Sequence, residues 1–154
     1  MIKLSRMADY GVLLMTELAR DHAHLRTASG LAANTGLPVP TVSKVLKLLS
    51  HGGLLESQRG AQGGYALAHA AEKITVADII GAVEGPIALT DCVGDDGAVC
   101  DIEALCPTRT NWSRVNAVMN EALGRVTLAE MTLPPVDFNL MFPIVATGDE
   151  GVSQ

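Results

Sequence analysis

Cys92, Cys100 and Cys106 are the three cysteines of this chain, and the stretch "CVGDDGAVCDIEALC" holds all of them at C-x7-C-x5-C spacing. Thiols gathered in this way serve as metal ligands, as redox-active groups or as small core residues. On one continuous helix the first step would separate two sulfurs by about 12 Å along the axis, and the second would swing the third thiol by about 240°. Neither geometry grips one small metal centre. Ligation therefore requires a loop, which Gly94 and Gly97 permit. A loop leading into a helix start can bring three thiolates to one iron–sulfur unit. Structural zinc is the chief competitor, but it ordinarily shows paired C-x2-C spacing with a fourth Cys or His close by, and no histidine follows Cys106. Asp91, Asp95, Asp96, Asp101 and Glu103 surround the thiols. Their negative charge disfavours an added electron and predicts a low reduction potential, although a solvated acidic loop accounts for the same residues.

The compartment bears on the choice. Asp9, Glu17 and Arg20 interrupt what would have to be the apolar stretch of a signal peptide, and no later run is long enough to span a bilayer. A cytoplasmic protein without membrane contact is expected. Thiols are kept reduced there, which favours metal binding or redox sensing over a disulfide, as does the odd count of three. No Ser-His-Asp set, phosphate loop or paired acid–base motif stands out, so neither an enzyme nor a small-molecule substrate is expected.

The elements that must position these thiols follow from periodicity and punctuation. The chain has 154 residues, 48% of them hydrophobic and only 3% aromatic, which favours a mainly α core of Leu, Val, Ile, Ala and Met. Met7, Tyr10, Leu14 and Leu18 recur at helical spacing after Ser5, a capping residue, and predict a helix from 5 to about 22. Thr27 can cap a short helix over "ASGLAANT" that Gly36 ends. "LPVPTVSKVLKLLSHGG" predicts a third helix with Val42, Val45, Leu46 and Leu49 on one face and Thr41, Ser43, Lys44 and Lys47 largely on the other, stopped by Gly52 and Gly53. Two short helices around a glycine turn are the signature of helix-turn-helix, whose second helix enters the DNA major groove.

"LLESQRGAQGGYALA" then predicts a hairpin at the place of a wing, with Arg59 and Gln62 at its tip and Gly60, Gly63 and Gly64 letting backbone approach a phosphate. Thr75 caps a further helix over "VADIIGAVEG". After the cysteines, Pro107 suits the first turn of a long helix in which Trp112, Val115, Met119, Ala122 and Val126 form one stripe. With the core already supplied, the partner for that stripe is expected to be the same helix of a second copy, giving a homodimer.

Net charge is −6, but residues 1–73 carry +3 and residues 74–154 carry −9. A basic front half is compatible with local binding of double-stranded DNA, because screening confines charge effects to roughly 10 Å. Pro40 sets the entry of the third helix, while Thr41, Ser43, Lys44 and Lys47 there, and Arg59, Gln62, Gly63 and Tyr65 on the wing, are the candidate DNA contacts. Tyr65 serves equally to fill the base of the wing. His22, His24, His51 and His69 are scattered and read as surface or packing residues.

Together "LSRMADYGVLLMTELA", "TGLPVPTVSKVLKLL", "RGAQGGYALA", "ITVADIIGAVEGP" and the spaced cysteines before a long helix resemble the Rrf-type (IscR/NsrR-like) family of bacterial winged-helix regulators, over about residues 1–132. Within it, "PTVSKVLKLL", "EGPIALTDC" and "CPTRTNWSRVN" are most similar to the regulators of the SUF iron–sulfur assembly system. The resemblance implies a dimer in which Cys92, Cys100 and Cys106 hold an iron–sulfur cluster, 2Fe-2S or 4Fe-4S, whose state sets DNA affinity. It also implies a fourth ligand. Some members use a histidine just after the third cysteine, which this sequence lacks, and others a carboxylate near the start of the first helix from the partner subunit, where Asp9 stands and is the expected ligand; the alternative for Asp9 is an ordinary first-turn acid stabilised by the helix dipole.

The expectation is thus a winged helix-turn-helix DNA-binding domain over 1–90, a cluster-binding loop over 91–106, a dimerisation helix over 107–132 and a loosely ordered tail over 133–154. The expected function is a cluster-sensing repressor of SUF genes. The alternatives are a nitric-oxide-responsive repressor of the same fold and a zinc- or thiol-based interaction protein without a cluster.

Overall fold

The computed structural model describes residues 3–21, 24–90, 93 and 106–134. Helix α1 (Arg6–Arg20) starts where the Ser5 hydroxyl accepts hydrogen bonds from the Met7 and Ala8 N–H groups. The same hydroxyl donates to Glu84, which ties the start of α1 to the end of α4 (Val76–Glu84). Helix α2 (Ala28–Thr35) is capped by Thr27 and closed by Gly36 at φ 72°, a conformation that glycine adopts without steric cost. Helix α3 (Val39–His51) carries Pro40 in its first turn, where the missing N–H costs nothing.

The third helix ends for two separate reasons. Gly53 takes a left-handed φ of 74°. Gly52 has an ordinary φ, but a Cβ there would lie 2.5 Å from the Ala82 Cβ, so it is the close seat of α3 on α4. Strands β1 (Leu55–Gln58) and β2 (Gly64–Leu67) form the expected antiparallel hairpin, with Leu55 opposite Leu67 and Gln58 opposite Gly64. The free edge of β2 is covered by Arg26, whose backbone exchanges two hydrogen bonds with Tyr65 at 3.0 and 2.9 Å. The wing is thereby pinned to the start of α2.

The apolar faces converge as their periodicity requires. Leu14, Met15 and Leu18 of α1, Leu31 of α2, Val42, Val45, Leu46 and Leu49 of α3, and Ile79 of α4 are all buried in one core. Each buried Leu or Val contributes roughly 1.5–3 kcal/mol relative to exposure. Mainly helical architecture with a two-stranded wing is therefore as expected.

The segment expected to form one helix over 107–132 differs. Pro107 lies in a turn before the helix, and α5 (Arg109–Arg125) starts after Thr108, whose side chain makes no capping bond. The helix ends at Arg125, and a separate helix, α6 (Leu128–Thr132), begins with a complete capping box: the Thr127 hydroxyl accepts from the Glu130 N–H, while the Glu130 carboxylate accepts from the Thr127 N–H. The break places Leu128 in the core, fully buried, and joins residues 126–128 to 74–76 through Val76 N–H to Val126 O and Leu128 N–H to Ile74 O. Val126 is thus the C-cap of α5 and not the last member of a continuous stripe.

Candidate nucleic-acid interface

The inner face of α3 is anchored by four fully buried side chains, so its outer face is held rigidly toward solvent. Pro40, Ser43, Lys44, Lys47, Leu48 and His51 line a shallow groove along that face. Thr41 is half-buried on the flank of the helix. A second groove runs between the end of α3, the start of α2 and the wing, where Lys47 and His51 meet Thr27, Gln58, Arg59 and Tyr65. No carboxylate lines either groove among the described residues. Cations, hydroxyls and amides without acids suit a polyanion.

The sequence-derived set is therefore largely brought together. Lys47 links the two grooves; Pro40, Ser43 and Lys44 lie in the first, and Arg59, Gly63 and Tyr65 in the second. Gln62 is exposed at the hairpin tip and lines neither groove. Tyr65 lines the second groove and its half-buried ring also packs against the core, so it fills the base of the wing as expected. Gly63 has an internal reason to be glycine: a Cβ there would stand 2.3 Å from the Gln58 carbonyl oxygen. His51, Gln58 and Thr27 belong to the second groove and were missed. The signal for His51 was its spacing, four residues beyond Lys47 and seven beyond Lys44, which puts the three on one face.

Of the candidate metal ligands, Cys92 and Cys100 lie outside the described residues, as does most of the expected loop over 91–106. Cys106 is described. Its sulfur is 3.3 Å from the Thr108 hydroxyl, and its thiol is held below the ordinary value, first by that hydroxyl and the Thr108 backbone N–H, with Arg109 adding its N–H and its charge. The thiolate is the metal-binding form, so these neighbours favour ligation. Asp9 is exposed in the first turn of α1, one turn after the Ser5 hydroxyl that holds Glu84.

The segment that leads into the cysteines is fastened on two sides. Besides the Ser5–Glu84 bond, Asn116 of α5 accepts from the Leu89 N–H and donates to the Ile87 carbonyl, and Asn120 donates to the same carbonyl. The far side of α5 is open. Trp112, Val115 and Val118 are 41, 45 and 60% exposed, and Asn111, Arg114, Val115, Val118 and Met119 line a shallow apolar cleft. Val118 was not in the expected stripe. No helix among the described residues is long and apolar enough to cross a membrane.

Residues 4–133 match the family model of Rrf2, described as an iron-dependent transcriptional regulator. The chain is 33% identical over 132 residues to the protein rrf2 of Nitratidesulfovibrio vulgaris, covering 84% of this chain and 87% of that one. Among solved structures it is similar to CymR, the global cysteine regulator of B. subtilis, at 31% identity and a TM-score of 0.67, over 86% of this chain and 97% of that one. It is similar also to IscR of T. potens, at 31% identity and a TM-score of 0.65, over 84% and 85%.

Proposed function

The chain belongs to the Rrf2 family and is a winged-helix transcriptional regulator, not an enzyme, and from this premise we propose that it acts as a homodimer that senses iron–sulfur status and represses SUF cluster-assembly genes. The observation that carries the proposal is the place of Cys106, immediately before α5 with its sulfur 3.3 Å from the Thr108 hydroxyl, in a chain whose other two cysteines lie within the fourteen residues preceding it. Cys92, Cys100 and Cys106 hold the cluster, with Asp9 of the partner subunit as the fourth ligand. Held by these residues, a cluster would supply iron sensitive to oxygen or nitric oxide. A carboxylate is a harder donor than thiolate, which suits a labile sensor more than an electron carrier.

The chain's own residues supply the coupling. Glu84, Ile87 and Leu89 connect the approach to the cysteines with α1 and α5, and Cys106 connects their exit with α5. Ligation that favours one arrangement of this segment also favours one placement of α5, and hence one spacing of two α3 helices in a dimer. Lys44 and Lys47 bind phosphates, Thr41 and Ser43 approach base edges from a helix entry set by Pro40, and Arg59, Gln62, Gly63 and Tyr65 follow the adjacent groove.

A second reading has support in the equal likeness to a cysteine regulator: a repressor of the same fold that answers to another signal. Anaerobic reconstitution of the wild type and Asp9→Ala with iron and sulfide separates the two. Visible absorbance in the wild type, faster bleaching in the variant, and footprints on the SUF promoter that differ between cluster-loaded and cluster-free protein are expected. A colourless anaerobic product that binds DNA identically after iron treatment would overturn cluster sensing and leave the second reading.

A further inference from the structure

His51 is the last residue of α3, exposed, and it shares with Lys47 the position of lining both grooves. Its surroundings decide what its charge does. From α3 it is faced by Lys47, from the hairpin by Ser57, Gln58, Arg59 and Tyr65, and from the start of α2 by Thr27. The acid on β1, Glu56, pairs opposite Ala66 and is not in the groove. Among the described residues the charged side chains that share the two grooves with His51 are Lys44, Lys47 and Arg59, all cations. A phosphate seated among Lys47, His51 and Arg59 can accept an N–H from the ring and pairs with its charged form.

We propose that His51 is a proton-linked contact to the DNA backbone, so that duplex binding takes up a proton at each α3 helix and tightens as pH falls from 8 to 6. The inference rests on the DNA-binding reading of these grooves and adds a pH response to it. Histidine is the side chain whose charge changes in this interval. The sign follows from linkage: DNA stabilises the protonated ring, so the gain is complete when the ring is protonated in free and bound states alike, and it disappears when the bound ring loses its proton. A displacement of one pH unit between free and bound titrations corresponds to about a tenfold change in affinity per histidine.

The test is fluorescence anisotropy with the full chain, purified anaerobically, on a random-sequence 30-bp duplex and on the SUF promoter, at constant ionic strength between pH 6 and 8. Absorbance at each pH verifies equal cluster content, and thermal melts verify that the exposed substitutions leave the fold intact. The wild type should bind about tenfold or more tightly at pH 6 than at pH 8 on both duplexes, because a phosphate contact carries no sequence information. His51→Gln should be flat across the range, and His51→Lys should bind tightly throughout. The wild type's salt slope at pH 6 should exceed that at pH 8 by about one counterion per histidine. A pH dependence retained in His51→Gln, or absent from the wild type, overturns the proposal. No binding to either duplex at any pH overturns the DNA reading beneath it.

Discussion

Helices α3 and α5 are both amphipathic, yet they dispose of their apolar residues in opposite ways. Helix α3 sinks Val42, Val45, Leu46 and Leu49 completely into its own chain's core and leaves a cationic, hydroxyl-bearing face outside. Helix α5 buries no residue completely, turns Asn116 and Asn120 toward the body and leaves Trp112, Val115 and Val118 outside. The difference teaches that amphipathicity alone does not identify a core helix. What matters is which face the neighbouring elements claim: α3 is claimed on its apolar side by α1, α2 and α4, whereas α5 is held to the body by Asn116 and Asn120 on Ile87 and Leu89 and by Leu123 against Ala8, Val76 and Ile80. An exposed cationic face suits a polyanion. An exposed apolar face on a 17-residue helix suits a second copy of itself.

The sharpest way to test the contrast is to damage each helix on its apolar side. Leu46→Ala removes a fully buried side chain from the centre of the α3 contact and should cost about 2–5 kcal/mol of stability, read from urea unfolding, with DNA binding lost as the fold is lost. Val118→Asp on α5 changes a residue that is 60% exposed and should leave the far-ultraviolet spectrum essentially intact while halving the mass in sedimentation equilibrium. Affinity for a palindromic duplex should fall about a hundredfold, because two linked readers become one. If Val118→Asp unfolded the chain as Leu46→Ala does, α5 would be a core helix and the contrast would fail.

Most of the body was legible because its punctuation is local. Ser5, Thr27, Gly36 and Thr75 stand where caps are observed, and the buried face of α3 is the predicted one. The end of α5 was not legible, since Val126 continues the apolar spacing of Trp112 and Met119 and disguises the break. The available signal was "TLAE", a Thr-x-x-Glu box matching the Thr-x-x-Asp box at Thr75, whose second residue, Leu128, the core takes. The glycines of the wing were legible as necessary, but for one of them the cause differed: the nearest obstacle to a Cβ at Gly63 is the chain itself. His51 was legible as a surface residue, which it is, but its place on one face with Lys44 and Lys47 was not drawn from the sequence, because a lone histidine was weighed by type and not by its face. For the cysteines, spacing excludes a continuous helix but does not specify which atoms converge, since a loop's path depends on contacts distant in sequence.

That second capping box offers the finest probe of how the two regions are joined. Thr127 and Glu130 hold the first turn of α6, which plants Leu128 in the core and so fastens the end of α5 to the body. Thr127→Ala should cost about 1 kcal/mol at neutral pH, the usual cost of losing such a cap. The effect should depend on pH in a defined direction. The Thr127 backbone N–H and hydroxyl hold the Glu130 carboxyl below its ordinary range, so the contribution of this pair is complete above the unfolded-state value and is lost as pH falls through the lower folded-state value. The stability difference between wild type and Glu130→Gln should therefore shrink on acidification through the carboxylate range, and hydrogen exchange at the Leu128 and Met131 amides should quicken first. If the two proteins kept a constant difference down to strongly acid pH, the box would contribute by shape alone, and the fastening of α5 would rest on the buried Leu128 and its bond to Ile74.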